Sequence, residues 1–358
     1  MGKFLNLRNY KNIKVTGKMK ALKITEKGCI KTVEMDAPEK VKAGEVLLKL
    51  NYVGFCGSDL NTFRGGNVLA KDGGVIPGHE IGATIVECGE DVPANLKKDM
   101  VVTLNPYTNC NNCSSCRNGR VNACEHNETM GVQRDGAMME YIKVPWQKVI
   151  PAEGISTRDS ALIEPMSVGF HAVDRAQVTD IDVVVVFGCG MIGCGAIVRS
   201  ALRGATVIAV DIDDEKLDLA KRLGAKYTVN SSKENVAEAV KKLNNGSGAD
   251  VVIEAVGAPV TYVAAIDTVC FTGRVVCIGY AKSDVSFTTR FFVQKELDIR
   301  GSRNAMPNDF RAVIRYMQGG TCPVDELITK VVTPEETQET MEYWDKNPGK
   351  VFRILVKF

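Results

Sequence analysis

The stretch VVVVFGCGMIGCGAIVRSALRGATVIAVD, Val183 to Asp211, decides the fold. Val183–Phe187 is a short β-branched run of the kind that forms a fully buried strand. Gly188, Gly190 and Gly193 follow in the spacing G-x-G-x-x-G. Met191–Leu202 then reads as a helix and Thr206–Val210 as a second strand. Such a string is weak on its own. Here it leaves a strand and opens a helix, the context in which glycines permit a tight turn and let a pyrophosphate approach the helix N-terminus. The second strand ends at Asp211, where a carboxylate can accept hydrogen bonds from a ribose diol and would repel a 2′-phosphate. Ile212, Asp213 and Asp214 supply no arginine for that phosphate. The stretch therefore predicts a dinucleotide site, NAD rather than NADP, with Gly188, Gly190, Met191, Ile192, Gly193 and Asp211 as its residues. The bland alternative is a plain turn in which glycine only closes helix–strand packing.

The same rhythm continues. Tyr227–Asn230, Val251–Glu254 and Arg274–Ile278 read as strands; Glu215–Leu223, Val236–Leu243 and Thr261–Val269 read as helices. This alternation implies a doubly wound parallel sheet. Upstream, from Met19 to about Val149, short strands such as Glu45–Tyr52, Ile81–Cys88 and Met100–Leu104 alternate with Gly and Pro, so a β-rich domain is expected. A helix at Asp309–Gln318 and a closing strand at Phe352–Val356 are expected to return to that domain. The predicted organisation is α/β: residues 19–164 and 305–358 form one domain and 165–304 the nucleotide-binding one. Residues 1–18, basic and polar without an apolar run, read as an extension rather than a secretory signal.

Cys110, Cys113, Cys116 and Cys124 are spaced C-x2-C-x2-C-x7-C. Four thiolates packed so densely can close a tetrahedral shell with no open position, a structural metal site with zinc the first choice. An iron–sulfur cluster and a disulfide knot are the alternatives. The remaining eight of the 12 cysteines are scattered singly through the chain. No secretory segment points to an oxidising compartment, which favours metal and a cytoplasmic setting. The surrounding loop has few apolar residues, so a metal rather than a core would hold it.

The 358 residues are 45% apolar and 25% charged, with a net charge of +2 and no basic block. That excludes an electrostatic case for nucleic acid or a membrane surface, and no apolar run is long enough to span a bilayer.

A second constellation is dispersed. Cys56 and Ser58 lie in GFCGSD, His79 and Glu80 in PGHE, and Glu164 in IEP. Cys, His and Glu are competent zinc ligands, and a catalytic zinc keeps one position open for water or substrate. Taken singly, a buried apolar role for Cys56 and a solvated turn for Glu164 would be the simpler readings. His126 and His171 are assigned structural roles.

With these motifs in hand, the chain resembles the zinc-dependent medium-chain alcohol dehydrogenases from Met19 to Phe358. The resemblance rests on Gly78-His79-Glu80, the four-cysteine lobe, and the glycine motif followed by Asp211. CGSD at Cys56–Asp59, EPMSVGFHA at Glu164–Ala172 and GSRNAMPNDF at Gly301–Phe310 look most like the polyol and sugar-acid branch, the last like its hexonate members. The resemblance implies a GroES-like catalytic domain beside a Rossmann domain, and two zinc ions per chain. A catalytic zinc would rest on Cys56, His79 and Glu80, with Glu164 a fourth ligand or a carboxylate acting through water. A structural zinc would rest on the four clustered cysteines. It implies Ser58 as the hydroxyl that passes on the substrate proton. Asn61 stands where many relatives carry a histidine that completes the relay, and an amide cannot accept and release protons near neutral pH. The function implied is hydride transfer from a secondary alcohol of a small hydroxylated substrate to NAD+. An L-galactonate- or L-gulonate-like sugar acid is placed first, with Arg303 as a carboxylate ligand. Sorbitol-type polyols, an L-threonine-type activity and a non-catalytic relative are the alternatives. A homo-oligomer, dimer or tetramer, is expected.

Overall fold

The computed structural model describes residues 17–66 and 73–358. Almost all of the expected extension at residues 1–18 therefore lies outside the described residues, and Lys18 already opens the first strand. Strands β1 (Lys18–Glu26) and β2 (Cys29–Asp36) form an antiparallel hairpin. Seven further strands build a mixed sheet: β3 (Glu45–Phe55), β4 (Glu80–Cys88), β5 (Val101–Leu104), β6 (Tyr141–Pro145), β7 (Val149–Pro151), β14 (Lys330–Val332) and β15 (Ile354–Lys357). The order is β14-β15-β3-β4-β5-β7, and β6 also pairs with β3. The last strand, β15, thus lies antiparallel beside β3, so the chain returns to the mixed sheet after leaving it.

Between these parts lies a parallel sheet of β8 (Val183–Phe187), β9 (Thr206–Asp211), β10 (Tyr227–Asn230), β11 (Ala249–Glu254), β12 (Val269–Cys277) and β13 (Asp298–Gly301). Its order is β10-β9-β8-β11-β12-β13, so the winding reverses between β8 and β11. Helices cover both faces. Val184, Val185 and Val186 are wholly buried, as an unalternating apolar strand between two helical layers must be. Ligands of such sheets sit at the carboxyl ends of the strands beside the reversal, which here means Gly188 and Ala255.

The helix Ile163–Ala176 carries the sequence from the mixed sheet into the parallel one. The sequence reading assigns no helix there. Pro165 lies in the first turn, where a missing N–H costs nothing. Gly169 faces the helix Met191–Leu202, and a Cβ on it would stand 2.2 Å from the Ile192 carbonyl oxygen. The close packing of these two helices fixes Glu164 against the nucleotide-binding half. No helix of the described residues is long and apolar enough to cross a membrane.

Candidate active site

Cys56 directly follows β3 and occupies the N-cap of the helix Gly57–Phe63. Asp59, wholly buried, ties this turn to the next loop: its Oδ2 accepts from the Cys56 amide at 2.8 Å and its Oδ1 from the Gly78 amide at 3.2 Å. His79 follows Gly78, and Glu80 opens β4 directly opposite Gly54. That glycine is required, because a Cβ there would lie 2.4 Å from Glu80 Oε2. The result brings donor atoms of Cys56, His79 and Glu80 within 4.8 Å of one another. Glu164 stands outside this group of three. Its carboxylate accepts a hydrogen bond from the Tyr107 hydroxyl, and both residues are buried.

Electrostatics at this point is dominated by burial. Burial opposes charge on His79, yet the Cys56 thiolate, and Glu164 and Asp59 behind it, raise its pKa well above the ordinary value. Burial pushes Glu80 well up, despite the guanidinium of Arg353, whose Nε lies 3.0 Å from Glu80 Oε2. Burial, followed by Glu164, raises Tyr107. Buried acids held up by desolvation mark a site short of positive charge. His79 Nδ1, Glu80 Oε1 and Ser58 Oγ are buried without a hydrogen-bond partner. Such orphaned polar atoms are costly unless something binds them, and a Cys–His–Glu donor set suits zinc with an open position.

Across a cleft of about 890 Å³ from these residues lies the glycine loop. Gly188 has φ +89°, and a Cβ on Gly193 would stand 1.8 Å from the Gly188 carbonyl oxygen, so both positions exclude a side chain. A Cβ on Gly190 would meet nothing within 4 Å, which leaves room above the helix N-terminus for a phosphate pair. Met191 and Ile192 complete that edge of the cleft. Asp211 ends β9; its Oδ2 accepts from the Cys189 amide at 2.7 Å and its Oδ1 from the Ile212 and Asp213 amides at 2.8 and 3.1 Å. The carboxylate is thereby oriented beside the loop. Ser58, Asn61 and Arg303 also line the cleft. Arg303 is half-buried, and among the described residues its guanidinium takes part in no ion pair.

The four clustered cysteines come together separately. Their sulfurs lie within 4.8 Å of one another, and all twelve cysteines are free. Backbone amides point at the sulfurs: Cys113 N donates to Cys110 Sγ, and Cys110 N and His126 N donate to Cys124 Sγ, each at 3.3 Å. Cys113 is drawn down to about 5 by the Ser115 hydroxyl and nearby amides, while Cys116 is pushed up to about 12 by desolvation and Cys113. Thiols competing in this way, already served by amide donors, fit a tetrahedral cation.

Tyr107, Arg353 and Asp59 escaped the sequence reading. Tyr107 and Arg353 lie in no ligand motif. Asp59 closes GFCGSD, but a buried tie between two loops is not visible in its residue type. Arg353 reaches the site from 298 positions beyond Phe55, whose carbonyl it also binds at 2.7 Å. His171, assigned a structural role, is buried between Asp309 and Asn122 at 2.9 Å from each.

Comparison with known proteins agrees with this geometry. Residues 42–154 match the alcohol dehydrogenase GroES-like domain and residues 192–319 the zinc-binding dehydrogenase domain. The chain is 35% identical over 315 residues to L-galactonate-5-dehydrogenase of Escherichia coli, covering 88% of this chain and 92% of that one. It is 31% identical over 349 residues to a sorbitol dehydrogenase of Halalkalibacterium halodurans, covering 94% and 99%. The structure of an E. coli alcohol dehydrogenase in complex with NADH superposes with a TM-score of 0.85 at 26% identity, covering 95% and 99%. The chain belongs to the zinc-type medium-chain alcohol dehydrogenase family, among its polyol and sugar-acid members.

Proposed function

We propose that this cleft oxidises a secondary alcohol of a hexose-sized sugar acid, of the L-galactonate or L-gulonate class, with NAD+ as hydride acceptor. The observation that carries the reading is the convergence of Cys56, His79 and Glu80 across the cleft from the glycine loop, with the unpaired Arg303 on its wall. Zinc held by Cys56, His79 and Glu80 supplies Lewis acidity that lowers the pKa of an alcohol. Glu164 serves as a further ligand or acts through water; its hydrogen bond from Tyr107 holds the carboxylate beside the three donors. A second zinc on Cys110, Cys113, Cys116 and Cys124 has a structural role.

The chain's own groups do the rest. Gly188, Gly190, Met191, Ile192 and Gly193 receive the pyrophosphate of NAD+, and Asp211 receives the ribose diol. Arg303 orients the carboxylate of the substrate with paired hydrogen bonds. Ser58 Oγ accepts the alcohol proton and gives up its own as hydride leaves carbon for the nicotinamide. Asn61 cannot carry that proton further, so water in the open mouth of the cleft does. We also propose a homo-oligomer, dimer or tetramer, working in the cytoplasm. The exposed edge strand β13, with Ile299 44% accessible, is the surface a second copy would cover.

Three outcomes are expected. Arg303→Ala should raise KM for a sugar acid strongly, roughly 10²-fold for the loss of a charged hydrogen-bonded pair of about 2–3 kcal/mol, and change KM for the matching neutral polyol far less. A wild-type preference for sorbitol, or equal losses on both substrates, would sink the carboxylate reading and leave the dehydrogenase reading standing. Asp211→Ser should weaken NAD+ use and relax discrimination against NADP+, because both the ribose bond and the repulsive charge are removed. A wild type with the higher kcat/KM on NADP+ would overturn this assignment. Ser58→Ala should lower kcat on the order of 10²–10⁴-fold with both metals retained; unchanged turnover in a chemistry-limited assay would remove Ser58 from the proton path.

A further inference from the structure

We infer that a second cavity, between the cysteine lobe, the C-terminal end of helix Ile163–Ala176 and β13, is a binding site for a small hydroxylated anion, separate from the catalytic cleft. Its volume is about 500 Å³, within the size range of small-molecule sites. It shares none of its lining residues with the catalytic cleft.

Three guanidinium side chains from three parts of the fold meet at this cavity: Arg120 from the lobe, Arg175 from the last turn of the helix, and Arg300 from β13. Their positive charge is largely unanswered. Arg175 donates from Nε to the Gly301 carbonyl at 3.2 Å, which leaves its terminal nitrogens free. Arg120 takes part in no ion pair among the described residues. Arg300 alone has a carboxylate, Asp298 at 3.0 Å, and it also binds the Arg175 carbonyl and Gln177 Oε1. The one acid on the wall, Asp174, is already engaged by Arg199 and Arg203. Burial first, and then the charges of Arg120 and Arg300, hold Arg175 below its ordinary pKa. A pocket with this surplus of forked donors suits a phosphate or carboxylate group.

A second observation supplies the hydroxyl. Asn122, 5% exposed, lines the same cavity, and its Oδ1 is buried without a donor. Its Nδ2 is fully used, donating to the Arg303 carbonyl at 2.7 Å and meeting His171 Nε2 at 2.9 Å. The amide orientation is therefore fixed, and the free oxygen asks for a donor. A bare inorganic anion has none to give at neutral pH beyond a single acid proton; a phosphorylated or carboxylated polyol does. Asn122 also accepts, through its backbone carbonyl, from Asn304 Nδ2 at 2.8 Å. An occupant that bonds Asn122 thus touches the side chain that holds the Arg303 segment of the cleft.

The test is thermal unfolding of the full chain with NADH at saturation, so that the pyrophosphate position of the cleft is already filled. Inorganic phosphate and glycerol 3-phosphate are each compared with chloride at equal ionic strength. Both should raise Tm, on the order of 2 °C at ten times Kd, glycerol 3-phosphate at the lower concentration. The Arg120→Ala/Arg175→Ala variant should lose both responses and keep its kcat with sugar acid and NAD+. No shift in the wild type, or the same shift in the variant, would overturn the assignment. So would a variant that sediments as a smaller assembly while the wild type ignores phosphate, because the arginines would then be contacts between copies. Should the double variant fail to fold, Arg120→Gln, whose side chain is exposed, must weaken glycerol 3-phosphate binding at least tenfold; unchanged affinity overturns the proposal equally. If NADH itself does not bind, the cofactor reading of the cleft fails, and the wild-type and variant titrations without it still decide this cavity.

Discussion

Cys56→Ala should reduce NAD+-linked turnover on the order of 10⁴-fold, equivalent to roughly 5 kcal/mol of transition-state stabilisation. Metal content should fall from two equivalents per chain to one. The reasoning is local. Cys56 is a soft donor of the group of three, and the helix it caps is held independently by Asp59, whose carboxylate binds the Cys56 and Gly78 backbone amides rather than the thiol. Removing the sulfur should therefore leave the loop in place and take away the ligand. His79 and Glu80 would remain as two donors with a partly engaged carboxylate, too few for a tight zinc site. Elemental analysis and steady-state rates on the same preparation check both halves. A variant that keeps two equivalents and near-normal turnover would show that the Cys56, His79 and Glu80 cluster is not the reacting centre.

The second large effect belongs to the lobe. Cys124→Ser should lower stability by on the order of 5 kcal/mol, less than the roughly 10–16 kcal/mol of small domains that fold only with their metal. Cys124 is wholly buried and receives two amide hydrogen bonds on sulfur. A serine oxygen is smaller and would not serve a tetrahedral thiolate site. The loss should be visible beyond stability. Asn122, two residues before Cys124, carries the Arg303 carbonyl on its side chain, so KM for the substrate should rise while the metal of the cleft stays. Urea unfolding with metal analysis is the check. An unchanged midpoint would mean that the lobe is held by something other than a metal.

Much of the nucleotide half was legible because its signals are local. Met191–Leu202, Tyr227–Asn230 and Val236–Leu243 have the bounds that periodicity predicts. The glycine motif lies between β8 and its helix as the phosphate-binding reading requires. The miss at β12 has a local cause. The strand is expected from Arg274, but it begins at Val269 and passes through Thr272 at φ +59°, a conformation that periodicity does not anticipate. The preceding helix starts at Pro259, whose ring suits the first helical position, rather than at Thr261. In the site, Cys56, His79 and Glu80 were legible as residue types, and their meeting follows from the pairing of β3 with β4. Arg353 and Tyr107 were not. Their roles arise only when β15 returns beside β3 and when helix Ile163–Ala176 brings Glu164 to the Tyr107 hydroxyl. Arg353 is one arginine among many in the sequence until a buried carboxylate needs a counter-charge.

The most direct measurement is the initial rate of NADH formation by metal-replete enzyme offered L-galactonate, L-gulonate, sorbitol and L-threonine, each with NAD+. NADH should accumulate with a sugar acid at a kcat/KM at least tenfold above the neutral polyol, and Cys56→Ala should abolish it. No reduction of NAD+ by any of the four, from enzyme shown to hold two equivalents of zinc, would contradict the proposed reaction.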